Sequence, residues 1–131
     1  MKKILVVEDN ELVRKFLSEF LRWRSYKVIE AENGLEGWRL TLEEEPDLVI
    51  SDIDMPGLNG YELLKKLQQE LDESMIPVIF LSGGATADAR DLALQLGAAD
   101  FLSKPTLPDK LLEVISTCLR KNGASNKRFK E

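Results

Sequence analysis

Glu8, Asp9, Asp52, Ser82 and Lys104 all stand at the ends of short apolar runs. Ile4 to Val7 ends in Glu8-Asp9, Leu48 to Ile50 in Ser51-Asp52, and Val78 to Leu81 in Ser82. Phe101-Leu102 leads through Ser103 into Lys104-Pro105. Three carboxylates, a hydroxyl and an ammonium suit a site that binds a hard divalent cation and handles a phosphoryl group. Acids are costly to cluster: two carboxylates about 4 Å apart repel by roughly 4 kcal/mol at an effective dielectric of about 20. If the runs are parallel strands, their ends line one crevice, and a bound cation is the expected compensation.

Asp52 is the candidate nucleophile. It opens the loop Ile53 to Gly60, which Pro56 and Gly57 stiffen and turn. The competing reading is an aspartate that only caps a helix or closes a turn. Asp9 and Asp52 can supply two direct oxygen ligands to Mg²⁺, or to Mn²⁺ in its place, with Glu8 acting directly or through water. Asp9 or Asn10 can also cap the first helix, but a cap does not require two acids. Lys104 can pair with the carboxylates at rest and with phosphoryl oxygens after transfer. One divalent cation and one ammonium balance the three carboxylates, and a neutral site tolerates an incoming phosphoryl group. Ser82, followed by Gly83-Gly84, offers a hydroxyl on a loop that can move; an ordinary strand-ending turn is the alternative.

Positioning these groups requires alternating strands and helices. Strands are expected over residues 3–7, 27–31, 47–51, 77–81 and 99–102. Helices are expected over 11–23, 35–44, 60–71, 87–96 and 107–120. Apolar residues recur at helical spacing in the first helix (Leu12, Val13, Phe16, Leu17, Phe20, Leu21), the third (Leu63, Leu64, Leu67, Leu71) and the fifth (Leu107, Leu111, Leu112, Ile115, Leu119). In the fourth, a helical wheel puts Ala89, Leu92, Ala93 and Leu96 on the core side and Leu94 away from it. Strands one, three and four are continuously apolar, as strands covered on both faces are. The pattern is (βα)₅, an α/β three-layer sandwich with right-handed crossovers.

The chain of 131 residues points to one domain, over residues 1–121. Residues 122–131 carry no apolar period and read as a tail or the start of a linker. The net charge of −5 argues against direct nucleic-acid binding. No run is long enough to span a membrane, and the apolar stretch at the N-terminus is too short for a signal peptide, so a cytoplasmic location is expected. There is no histidine, which excludes a serine-type triad, a His-ligated zinc site and a phosphohistidine on this chain. The single cysteine, Cys118, lies in an apolar helical pattern and reads as packing.

Glu8-Asp9, Asp52 with Met55-Pro56-Gly57 and Gly60, Ser82, and Phe101 with Lys104-Pro105 together resemble the receiver domain of two-component response regulators. The resemblance spans residues 2 to 121. It implies a flavodoxin-like fold with strand order 2-1-3-4-5. It also implies a signalling switch that catalyses only its own phosphorylation and dephosphorylation, not an enzyme acting on a small substrate. Asp52 would take a phosphoryl group from a phosphohistidine on a sensor histidine kinase or a histidine phosphotransfer protein. Asp9, Asp52 and the backbone carbonyl of Asp54 would bind Mg²⁺, with Glu8 assisting. Lys104 would bond the acyl phosphate, Ser82 would swing toward it, and Phe101 would change rotamer as the readout. The fourth helix, fifth strand and fifth helix would then form the output face, offered to an effector, a covalently linked output domain or a second copy.

Some positions depart from common receiver patterns. Ser82 stands where threonine is frequent, Phe101 where tyrosine is common, and Thr106 where DNA-binding regulators often carry phenylalanine. Two other readings stay open. Asp52-Ile53-Asp54 resembles the nucleophile pair of haloacid-dehalogenase-like phosphatases, although Glu8-Asp9 precedes it and Lys104 comes last. A flavin-binding flavodoxin would need a phosphate loop where Glu8-Asp9 stands.

Overall fold

The apolar runs become strands because each is brief and closed by turn formers, and the first four are rich in β-branched residues. The computed structural model describes residues 1–70, 76–84 and 86–122. Its elements are β1 (Lys3–Val7), α1 (Glu11–Trp23), β2 (Lys27–Ala31), α2 (Gly34–Glu44), β3 (Leu48–Asp52), α3 (Gly60–Glu70), β4 (Val78–Ser82), α4 (Ala87–Gln95), β5 (Asp100–Ser103) and α5 (Pro108–Asn122). The strands form one parallel sheet of order β2-β1-β3-β4-β5. This is the expected three-layer α/β sandwich.

Side chains of a strand alternate between the two faces of the sheet. Leu5, Val7, Val49 and Phe80 therefore join one core with Leu63, Leu64, Leu67 and Ala93 of α3 and α4. Ile4, Val6, Ile50, Ile79 and Leu81 join the other with Leu17 and Leu21 of α1 and Leu111 and Ile115 of α5. The central strands β3 and β4 are buried along their whole length, whereas the edge strands β2 and β5 each keep an exposed end. Strands buried on both faces leave polar chemistry to their ends, which is where the candidate groups lie.

Four of the helices, α1 to α4, start on side-chain caps. Asn10, Asn33 and Thr86 accept the backbone N–H of Val13, Glu36 and Ala89. Asn59 and Glu62 exchange two 2.9 Å bonds in a capping box that opens α3. Asn10 thus performs the capping of α1, and neither Glu8 nor Asp9 is needed for it.

The structure departs from the sequence expectations in several places. β3, β4 and β5 each run one residue further, so Asp52, Ser82 and Ser103 are strand residues. α5 begins at Pro108, a residue suited to the first helical turn, so Leu107 lies outside it and is exposed. Leu12 and Phe16 are exposed too; the apolar stripe of α1 is wider than its contact with the sheet, which Leu17 and Leu21 make. In α4 only Ala93 is fully buried, while Leu92 and Leu96 are 45% and 42% exposed. That helix rests on the sheet through small residues, and Leu96 is its C-cap. α5 extends to Asn122, one residue into the stretch read as tail; residues 123–131 and Leu71 of the α3 stripe lie outside the described residues.

Gly60 lets α3 close on the end of β3. Its N–H donates to the Ile53 carbonyl at 2.9 Å. A Cβ there would sit 2.6 Å from the Asp52 carbonyl oxygen and 2.8 Å from the Ile53 Cα. Both neighbours are backbone and have no room to yield. Gly60→Ala is expected to destabilise the fold by about 1–3 kcal/mol through this overpacking. In urea, that appears as a lower unfolding midpoint at unchanged slope. A wild-type midpoint would contradict the close approach.

Candidate functional site

Lys104 lies just beyond β5, and its backbone N–H donates to the Ser82 carbonyl at 2.9 Å. From there its ammonium reaches across the sheet edge. Nζ donates to Glu8 Oε1 at 2.5 Å and stands 3.4 Å from Asp52 Oδ1. Glu8 and Asp52 are buried, Asp9 is exposed and Lys104 is half-buried. Glu8, Asp9 and Asp52 each offer a carboxylate oxygen, and these oxygens lie within 4.8 Å of one another. The donor set fits a hard divalent cation such as Mg²⁺, which takes oxygen ligands and keeps several waters; the exposed Asp9 leaves a solvent side for them.

Electrostatics at the site follow from burial. Desolvation raises the pKa of Glu8 above its ordinary value, and the Asp52 charge adds to the rise; bonds from Lys104 and the Asn10 N–H oppose it. Desolvation likewise raises Asp52, against the Lys104 charge and the N–H groups of Asp54 and Ile53. For Lys104, burial works to lower the pKa, but the hydrogen bond and charge of Glu8 and then the charge of Asp52 outweigh it, so its pKa is raised. Burial prevails on the acids and ion pairing on the lysine. A bound cation would reverse the effect on the acids.

The loop after β3 is pinned on both sides of Asp54. Ile53 and Met55 are buried, whereas Asp54 is exposed and its carboxylate lies outside the acidic cluster. Gly57 turns the loop at φ +77°, a conformation that side chains with a Cβ avoid. Ser82 is buried, and its Oγ accepts the Gly84 N–H at 3.2 Å, so its hydrogen bond goes to its own loop. Phe101, beside Phe80 in the sheet, is 3% exposed and already packed inward. The Lys104-Pro105 bond is cis.

Two contacts carry no signal in the motif spacing. Arg90 of α4 donates to the Phe101 carbonyl at 2.7 Å and pairs with Asp100 at 3.1 Å. Arg14 of α1 donates to the Glu8 carbonyl at 2.9 Å. Both read in sequence as ordinary polar faces of helices. A hint lies only in their being arginines, whose fork can hold a carbonyl and a carboxylate together.

A family model described as the response regulator receiver domain matches residues 4–116. The chain belongs to the response regulator receiver family. Receiver domains are signalling modules, and the dehalogenase-like and flavodoxin alternatives give way to this match. The chain is similar to protein PilH of Pseudomonas aeruginosa, with 35% identity over 119 residues that cover 91% of this chain and 98% of that protein. It is 38% identical over 120 residues to the probable transcriptional regulator ycf29 of Pyropia yezoensis, covering 92% of this chain and 54% of that one. It therefore spans about half the length of ycf29 but nearly all of PilH. A response regulator receiver domain protein from Clostridium thermocellum superposes with a TM-score of 0.86 at 28% identity, over 94% of this chain and 98% of that one. Among the described residues no helix is long and apolar enough to cross a membrane.

The raised pKa of Asp52 has a direct consequence. A carboxyl whose folded pKa exceeds its unfolded one binds its proton more tightly when folded. Stability is then lost as pH rises from the ordinary carboxylate value through the folded pKa, and stays lost at neutral pH. Asp52→Asn removes that ionisation. In metal-free buffer at neutral pH it is expected to raise Tm by about 3–5 °C, about 1 kcal/mol for a chain of this size. The gain should vanish in acid, where wild-type Asp52 is protonated. A Tm unchanged or lowered at neutral pH would show that the Lys104 pairing outweighs burial.

Proposed function

We propose that this receiver is a phosphorylation-activated switch in which Asp52 accepts a phosphoryl group from a partner's phosphohistidine in the presence of Mg²⁺. The observation that carries the reading is the ammonium of Lys104 held between Glu8 and Asp52 at the sheet edge, with Asp9 completing the acidic group. A carboxylate oxygen of Asp52 attacks phosphorus. The phosphorus–oxygen bond forms as the phosphorus–nitrogen bond breaks, and the leaving imidazole keeps the electron pair and takes a proton. Asp9, Asp52 and the Asp54 carbonyl would hold the cation, with Glu8 as an outer partner kept in place by Lys104 and the Asn10 N–H. When bound, Mg²⁺ supplies charge stabilisation at the phosphoryl oxygens. Lys104 supplies a second positive charge there, and Ser82 supplies a hydroxyl after leaving its Gly84 bond.

The donor would approach beside Lys104. Leu12, Phe16, Leu81, Pro105 and Thr106 line an apolar groove of about 400 Å³ that ends on that lysine. The output face would be α4, β5 and α5, where Leu92, Leu94 and Leu96 stand exposed on the C-terminal half of α4, the helix that follows the loop after Ser82. An effector, a linked output domain or a second copy would bind there. The chain would also hydrolyse its own acyl phosphate, and it would act in the cytoplasm.

Incubation with acetyl phosphate and Mg²⁺ tests the chemistry. Intact-mass measurement should find one phosphate added, lost at alkaline pH, absent without Mg²⁺ and absent in Asp52→Asn. Undiminished labelling of Asp52→Asn would remove the assignment.

Sedimentation with and without beryllofluoride and Mg²⁺ tests the output face. Any association induced by the phosphoryl mimic should disappear in Leu94→Asp while Asp52 labelling persists. Association that survives the substitution would move the interface elsewhere.

A further inference from the structure

Arg14 is the one arginine of α1 that points back to the sheet edge. Its side chain is only 13% exposed. Nη1 donates to the backbone carbonyl of Glu8 at 2.9 Å, and Nε lies 3.4 Å from Glu30 Oε1 on β2. Glu30 is itself held by Arg22, whose Nη2 lies 3.3 Å from Oε2 and 3.2 Å from the Val28 carbonyl. The guanidinium is thus braced by an acid on one side and used on the other.

The carbonyl it holds belongs to the peptide unit that joins Glu8 to Asp9. That unit is planar, so fixing the direction of its C=O fixes the plane and the Cα atoms at both ends. The Glu8 N–H, on the other side, donates to the Ala31 carbonyl at 3.0 Å. Glu8 is therefore tied at both backbone groups. The peptide on which two of the three clustered carboxylates depend cannot rotate without breaking the Arg14 bond. Glu8 also has its side chain fixed by Lys104 and the Asn10 N–H. Asp9 is exposed and has no such side-chain brace among the described residues, so its placement rests on the backbone.

We propose that Arg14 is a positioning residue for the cation site: by holding the Glu8–Asp9 peptide plane, and being held by Glu30, it aims the Asp9 carboxylate at the ion. This rests on the reading of the acidic cluster as a Mg²⁺ site. Groups that orient ligands without touching the metal typically affect affinity by about 10–100-fold. A lysine could not replace the arginine, since it lacks the fork that meets a carbonyl and a carboxylate together.

Mg²⁺ titrations by calorimetry on the full chain separate the possibilities. Arg14→Met is expected to weaken Mg²⁺ binding about tenfold. Glu30→Gln, which removes the brace but keeps the Arg14 bond, should weaken it less. Arg22→Met, which loosens Glu30 without touching Arg14 or Glu8, should weaken it least of the three. In the metal-free protein, Arg14→Met should shift the amide nitrogen resonance of Asp9, because a carbonyl that loses its hydrogen bond depolarises its own peptide unit; Arg22→Met should not. Wild-type Mg²⁺ affinity in Arg14→Met, or an equal loss in Arg22→Met, overturns the inference and leaves the cation site standing. If Arg14→Met does not fold, unchanged affinity in Glu30→Gln overturns it. A wild-type chain that binds no Mg²⁺ overturns the site reading and this inference together.

Discussion

The crowding of Glu8, Asp9 and Asp52 at one sheet edge is the constraint on which the rest depends. Carboxylate oxygens within 4.8 Å of one another repel by roughly 3–4 kcal/mol per ionised pair at an effective dielectric of about 20. Burial of Glu8 and Asp52 adds a desolvation cost. One ammonium offsets part of this. Lys104 reaches Glu8 and Asp52 from 96 and 52 positions away in the chain, so only the tertiary fold can bring the charges together. The unfavourable cluster is carried by the sheet behind it, whose buried strands β1, β3 and β4 are apolar up to their C-terminal ends, where Ser51, Asp52 and Ser82 are the buried polar residues.

That sheet explains why the site lies where it does. The pairings put Val7 beside Ser51 and Asp52 beside Leu81, so β1 and β3 release Glu8 and Asp52 at adjacent points of the edge. Ser82 pairs with Ser103, and Lys104 follows directly. Parallel connection is essential here, because an antiparallel neighbour would send its end group to the opposite edge. The loop after Asp52 is then kept short and stiff by Ile53 and Met55 in the core, Gly57 in its turn, and Gly60 against the strand backbone.

Much of this was legible in residues alone because strand ends and helix caps are local signals. The runs ending in Glu8, Asp52 and Ser82 needed only composition and length, and no boundary of their strands was off by more than one residue. The failures share a different cause. Leu12, Phe16, Leu92 and Leu96 satisfy helical periodicity yet remain exposed. Periodicity says which residues share a face, but the width of the neighbour decides how much of that face is covered. α4 meets the sheet through Ala89 and Ala93, a narrow strip, and its leucines flank it. Arg14 and Arg90 were illegible for another reason: beside a carboxylate each holds a backbone carbonyl, and a carbonyl has no identity in the sequence.

The inward position of Phe101 limits how a signal can leave the proposed site. The Phe101 ring is packed in the core it shares with Phe80 and the α4 alanines, so the rotamer change expected of it would have to displace that packing. Interiors packed to crystalline density move between discrete arrangements instead of deforming smoothly. The mobile parts must then be the ones held by few bonds. Among the described residues Ser82 Oγ has one, to the Gly84 N–H, and a Cβ on Gly83 or Gly84 would meet nothing within 4 Å. The Ser82 carbonyl, however, accepts the Lys104 N–H, so in the proposed switch a hydroxyl drawn toward an acyl phosphate would act on the same residue whose backbone positions the Lys104 ammonium. Arg90 ties the next residues of β5 to α4 through the Phe101 carbonyl and Asp100. In the proposed switch, a shift at Ser82 would reach α4 through the Ser82–Lys104 backbone rung and the Arg90 bridge.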